Sequence, residues 1–345
     1  MTHDTPSPLR LVTRDPAVHE LIAQLSAARK RILGAPEEAH ALQFSRSHLA
    51  DVRAGFNAAI RRGESTLHRL CDRLVQELMD GRCDKVSVVI AETPSTGERT
   101  QLEHRITDDS LYGLTDLALG LSVLERVRFK RGEDWVQPRL VANFVEYHPL
   151  RAGDPVIHKI LSRIKAEEEV WNKVVDEIFD LDALVRRDKQ LSRYSRFVKD
   201  VFGVKIVVGN DADAERVHAW LERACDDPEI FQSVSSGGEQ VKLIETKNYL
   251  AAGKRTGWAA LKSVVTAGGQ TIELQIQPLD NHVRELQRLT AQSHAAFRTR
   301  REEVRDEVAR ALPLFGFYRS LLRWMFQHPD APAPQLGRVR VELID

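Results

Sequence analysis

The chain has 345 residues, with 50 lysines and arginines against 50 aspartates and glutamates, so its formal net charge is zero. That length suits a sizeable core and two domains, and the balanced charge argues against a duplex-DNA binder driven by a global basic excess. Three cysteines, Cys71, Cys83 and Cys225, lack zinc spacing and disulfide density, no apolar signal core opens the chain, and no apolar run is long enough to span a membrane; a cytoplasmic protein with no membrane partner is expected.

After a polar, proline-bearing start, Asp15-Pro16 reads as an N-cap and first helical position. Val18, Leu21, Ile22, Leu25 and Ile32 follow at helical spacing, and Gly34 and Pro36 end the helix. Two more helices are predicted, from about Glu38 to Ile60 and from about Ser65 to Met79. Lys85 to Ala91 predicts a strand, Thr93 to Gly97 a turn, and Leu111 to Leu124 a helix weakened by Gly113 and Gly120. Short strands are predicted around Trp135 to Tyr147. No repeat and no chemical motif stand out in residues 1–150, which read as an α-rich region with some strands.

From Asp154-Pro155 a long helix is predicted, with Ile157, Ile160, Leu161, Ile164, Trp171, Val174, Val175 and Ile178 as its apolar stripe. Glu167-Glu168-Glu169 reads as a solvated face rather than a ligand set. A basic segment, Arg186 to Asp200, leads into a strand from Gly203 to Val208. A helix from about Ala212 to Cys225, strands near Val241, Leu261 and Thr271, and a helix from about Asn281 to Leu312 complete the order β-α-β-β-β-α. That order predicts an α+β domain, a mixed sheet flanked by helices, over residues 151–312. Residues 313–345 read as a tail with a final strand at Val339 to Leu343.

The chemistry-bearing residues lie in this second half. As a strand, Thr271 to Gln277 turns Ile272, Leu274 and Ile276 to one face, and Glu273 and Gln275 to the other. Glu on a wet strand face is commonplace, but Asp200 lies just ahead of a neighbouring candidate strand. Two acids brought together can hold Mg2+ across a nucleotide's phosphates and accept a hydroxyl proton. Gly253-Lys254-Arg255-Thr256-Gly257 offers cations and flexible backbone for phosphates, and Trp258 offers a stacking face, although the bland roles are solvated cations and a core indole. The loop has neither P-loop nor dinucleotide-fingerprint spacing.

The order of these segments resembles the synthetase domain of the RelA/SpoT family. The segments are Asp200-Val201-Phe202-Gly203-Val204-Lys205, Lys247-Asn248-Tyr249-Leu250, Gly253 to Lys262, Glu273-Leu274-Gln275-Ile276-Gln277, and Gln292-Ser293-His294-Ala295-Ala296-Phe297-Arg298. The resemblance covers residues 186 to about 300. It implies a mixed sheet related to nucleotidyltransferases and a pyrophosphokinase that moves diphosphate from ATP to the 3′-hydroxyl of GDP or GTP. It also implies Asp200 and Glu273 as the catalytic, magnesium-binding acids and Trp258 as the base-stacking ring. Lys189, Arg193, Lys199, Lys205, Lys247, Lys254, Lys262, Gln275 and His294 are implied as nucleotide contacts. Packing in a helix core is an equal reading of His294. Lys262 stands where the family has histidine, Ala260 where it has serine, Asn248 where it has aspartate, and Gln277 where it has arginine. These departures fall on the acceptor side. They leave open an acceptor such as tRNA, or a catalytically silent nucleotide- or RNA-binding regulatory domain. Nucleotidyl transfer is a third reading, and a homo-oligomer fits any of them. No His-Asp pair in residues 1–150 suggests a hydrolase partner domain.

Overall fold

The computed structural model describes residues 15–93, 96–164, 171, 174–176, 178–179, 202–234, 239–250, 259–291, 305–327 and 331–345. They fall into two compact units. One comprises the described residues between 61 and 164 and between 202 and 287. The other comprises those between 15 and 60, with 171–179 and the described residues beyond 287. Expected boundaries at 150/151 and 312/313 do not coincide with these units.

The second unit opens with α1, Pro16–Gly34. Its start is the expected one: the Asp15 carboxylate accepts from the amides of Ala17 and Val18, at 3.1 and 3.2 Å, satisfying donors a first helical turn leaves orphaned. Val18, Leu21, Leu25 and Ile32 form its buried stripe. The next stretch departs from expectation, because β1, His40–Ser45, stands where a helix was predicted. Leu42 and Phe44 are buried two residues apart, a strand's period. The strand runs parallel to β12, Val339–Ile344, with His40 opposite Val339 and Ser45 opposite Ile344. Then α2, Arg46–Leu78, continues unbroken for 33 residues where two helices were expected. The supposed tail contains a helix, here called α7, Pro313–Gln327. Its Tyr318 hydroxyl donates to the Leu25 carbonyl at 2.8 Å, and Phe315 and Tyr318 meet Phe179 edge to face.

The first unit is built on an eight-stranded sheet. Its strands are β2 (Cys83–Glu92), β3 (Arg99–Arg105), β6 (Arg139–Pro149), β7 (Ile157–Ile164), β8 (Phe202–Val208), β9 (Lys242–Asn248), β10 (Leu261–Ala267) and β11 (Gln270–Pro278). They lie in the order β3-β2-β6-β7-β8-β11-β10-β9. Only β8 and β11 pair in parallel; every other join is antiparallel. A small hairpin, β4 (Phe129–Arg131) with β5 (Asp134–Val136), stands apart. The helices of this unit are α3 (Asp108–Gly113), α4 (Asp116–Leu124), α5 (Asp211–Asp226) and α6 (Leu279–Ala291). The mixed sheet flanked by helices is the expected fold class, and β8-α5-β9-β10-β11-α6 reproduces the expected order.

Ile157 to Ile164 is a strand, not the first turns of a helix. The spacing Ile157, Ile160, Leu161, Ile164 satisfies a helical template, yet both edges of this segment are taken by sheet neighbours, β6 and β8. Ser162 is buried beside Ile160, with its hydroxyl donating to the Val145 carbonyl at 3.5 Å. Its polarity hid the strand's alternation.

The sheet has two unlike faces. Tyr147, Ile160, Val204, Ile206, Leu274 and Ile276 are buried on the face that meets α2 and α5. There the His68 ring bridges the Tyr147 hydroxyl at 3.1 Å and the Asp116 carboxylate at 2.8 Å. The opposite face carries the alternate residues of the same strands, among them Glu146, Lys205, Glu273, Gln275 and Gln277.

Candidate functional site

On that opposite face the registers align the candidate residues. Gln275 of β11 lies opposite Lys205 of β8 and Lys262 of β10, and Lys262 lies opposite Lys247 of β9. Paired residues share a face. Lys205, Lys247, Lys262, Glu273 and Gln275 therefore gather on one patch of four adjacent strands, although up to 70 positions separate them in sequence. Asp200, Lys189, Arg193, Lys199, Lys254, Trp258 and His294 lie outside the described residues, as does Glu167-Glu168-Glu169.

Glu273 is almost enclosed, at 7% exposure. One of its oxygens is held by the Lys262 ammonium in a close ion pair. The other accepts from Gln275 Nε2 at 2.5 Å. The remaining cations of the patch are partnered too: Lys205 with Glu285 at 2.9 Å and Lys247 with Glu245 at 2.7 Å. Its hydrogen bond to Glu245 holds the Lys247 ammonium above its ordinary range, with help from the charge of Glu273.

The helix predicted from Asn281 was tied to the site only through His294, but its first part, α6, itself closes one side of the patch. Asn281, His282 and Glu285 stand at helical spacing toward the sheet. Asn281 clasps residue 259 by both backbone groups: its Oδ1 accepts from the Ala259 amide at 3.2 Å, and its Nδ2 donates to the Ala259 carbonyl at 2.6 Å. It thereby fixes the chain entering β10, immediately after Trp258. Glu285 accepts from Lys205 and from Gln277 Nε2, each at 2.9 Å. Burial works to raise its pKa, but the charge of Lys205 and these hydrogen bonds overcome burial and hold it below the ordinary range. His282 is 4% exposed, and neither ring nitrogen has a partner among the described residues. Burial, reinforced by Lys205 and Lys159, pushes its pKa down to about 4, so the ring is neutral near pH 7. Next along the sheet, Glu146 joins Lys159 at 2.7 Å and His148 at 2.8 Å. For the α6 groups the sequence signal is the polar spacing of Glu285 from His282 (i, i+3) and from Asn281 (i, i+4).

Among the described residues no group of three or more His, Cys, Asp or Glu side chains is placed to hold a metal ion. Both oxygens of Glu273 are engaged by nitrogen donors. The described residues therefore do not fit a resident Mg2+, and no chemical step is derived through one. What they do offer is a row of ammonium groups at strand spacing, each held against a carboxylate that a phosphate oxygen can replace.

No family model matches the sequence, and no curated protein matches it. Solved structures do match. They include small alarmone synthetases and a GTP pyrophosphokinase family protein. Small alarmone synthetase 1 from Bacillus subtilis, bound to its product pppGpp, is 15% identical over 42% of this chain and 66% of its own, with a TM-score of 0.28. Small alarmone synthetase 2 from Bacillus subtilis is 18% identical over 45% of this chain and 77% of its own, with a TM-score of 0.25. A GTP pyrophosphokinase family protein from Streptococcus pneumoniae is 17% identical over 48% of this chain and 71% of its own, with a TM-score of 0.27. The chain thus spans just under two thirds of the first of these structures. Among the described residues no helix is long and apolar enough to cross a membrane.

Proposed function

We propose that the polar face of the eight-stranded sheet binds ATP, with its magnesium counter-ion, and transfers the terminal diphosphate to a ribose 3′-hydroxyl of a guanosine nucleotide or of tRNA. One observation carries this reading: Lys205, Lys247, Lys262, Glu273 and Gln275, taken from motifs far apart in sequence, meet in register on one face. In the reaction the hydroxyl oxygen bonds to the β-phosphorus and the bond from that phosphorus to the α–β bridging oxygen breaks. AMP leaves, and the hydroxyl proton passes to Glu273. Phosphate oxygens draw the Lys262 ammonium away from Glu273, freeing a carboxylate oxygen as the base. Asp200 is the proposed acid for the phosphates' magnesium on the family resemblance alone.

Incubation of the full chain with γ-labelled ATP, magnesium and GDP, GTP or bulk tRNA tests this. Label in one acceptor with stoichiometric AMP is the expected result. Pyrophosphate release would indicate nucleotidyl transfer instead. A second reading has its own support: both Glu273 oxygens are occupied by Lys262 and Gln275, an arrangement suited to a silent nucleotide- or RNA-binding regulatory domain. ATP binding without label in any acceptor would establish that reading over the first.

A further inference from the structure

A cavity of about 690 Å3 opens on the other side of the sheet, between the end of α2, the β6–β7 connection and the flank of α5. It is separate from the polar face. His218 of α5 hydrogen-bonds Ser263 and Thr246, each at 3.2 Å, and Ser263 points opposite to its neighbour Lys262 along β10. Arginines line the cavity. Arg82 reaches it because the chain leaves α2 through two left-handed residues, Asp80 at φ 52° and Gly81 at φ 69°. Arg151 comes from the β6–β7 connection, and Arg216 and Arg223 from α5.

The charges there are unequal. Arg216 is a fixed strut, paired with Asp154 at 2.5 Å and with the buried Asp213. Glu77 is occupied by Arg73 at 2.7 Å. Among the described residues, Arg82, Arg151 and Arg223 have no side-chain partner, and Asp80 is the lining carboxylate without an ion pair. Three free guanidiniums around one hollow form a planar-donor array suited to phosphate oxygens. Trp220 supplies part of the wall, braced edge-on by Phe231 with ring centroids 6.1 Å apart. An indole beside guanidiniums adds a stacking surface that inorganic anions do not use.

We propose that this cavity is a second phosphate-recognition site. It takes a mononucleotide with its phosphates on Arg82, Arg151 and Arg223 and its base against Trp220. The volume suits a ligand of that size. The site is independent of the reaction proposed for the opposite face.

Calorimetric titration of the full chain with ATP, GTP and inorganic tripolyphosphate tests the assignment. The Arg151→Gln/Arg223→Gln variant changes only exposed side chains, so its thermal midpoint should match the parent. It should lose affinity at one class of nucleotide site by about tenfold or more. Trp220→Leu should weaken ATP and spare tripolyphosphate. A Lys205→Met/Lys262→Met variant, altered on the opposite face, should keep this class of site. An unchanged isotherm in the double arginine variant, or loss of this class in the lysine variant, would overturn the proposal. So would tripolyphosphate binding the parent as tightly as ATP does.

Discussion

Lys262 and Glu273 reach each other diagonally across the β10–β11 ladder. Val264 is the direct partner of Glu273, and Gln275 that of Lys262. The ammonium must lean along its strand to meet the carboxylate. The pair therefore needs both side chains on the same face but not at the same rung.

Glu273→Gln keeps the hydrogen-bonding shape and removes the base. On the proposed mechanism, diphosphate transfer should fall by roughly 100-fold or more. Stability should change by only about 1 kcal/mol, because Lys262 is one-third exposed and can turn to water. Labelled transfer and thermal unfolding, measured side by side, check both halves. Undiminished transfer would remove Glu273 from the chemistry.

Two carboxylates on the same face predict acid sensitivity. Burial opposes ionisation of Glu146, but His148 and Lys159 hold it below its ordinary value of 4.5. Glu285 is likewise held low by Lys205 and Gln277 against burial. The stability they contribute is complete above pH 4.5 and fades as pH falls through their depressed folded values. Urea unfolding between pH 7 and 3 should show this loss, and a Glu146→Gln/Glu285→Gln variant should show a shallower slope over the same range.

Glu64 acts in the opposite sense. Burial first, and the charge of Asp116 second, lift its carboxyl from 4.5 to about 8. Between those values the folded chain keeps a proton that the unfolded chain releases, so stability falls as pH rises through that window. Glu64→Gln should abolish this slope and gain roughly 1–3 kcal/mol at pH 8. Unfolding curves at pH 5 and 8 that differ equally for parent and variant would refute it.

Gly63 touches Phe202 across the sheet–helix interface: a Cβ placed there would lie 2.1 Å from the ring's Cζ. Alanine normally improves a helix interior by about 1 kcal/mol over glycine. Here the crowding should outweigh that gain, and Gly63→Ala should cost roughly 1–3 kcal/mol. A smaller side chain at Phe202 should recover part of the loss in the double variant, measured by urea unfolding.

Much of the second half was legible because its strands carry their own signal. Ile272, Leu274 and Ile276 alternate with Thr271, Glu273 and Gln275, which names both the element and the face without knowledge of a neighbour. Ile157 to Ile164 was illegible for the converse reason. Its spacing fits two periods equally, and only the hydrogen-bonding edges of β6 and β8 choose between them. Leu42 and Phe44 were similar: one short alternation beside a long helical pattern, resolved by a partner strand some 300 positions away. The Lys262–Glu273 contact was not readable at all. Both residues were named from sequence, but a diagonal ion pair depends on register, and register is set by the whole sheet.

The β6–β7 pairing has a practical consequence for anyone dividing this polypeptide. Severing it near position 150 separates partners such as Tyr147 and Ile160 and bares one edge of each strand, a template for illegitimate association. Released halves should precipitate or pair with one another, and co-expression of the two pieces should rescue solubility where either alone fails.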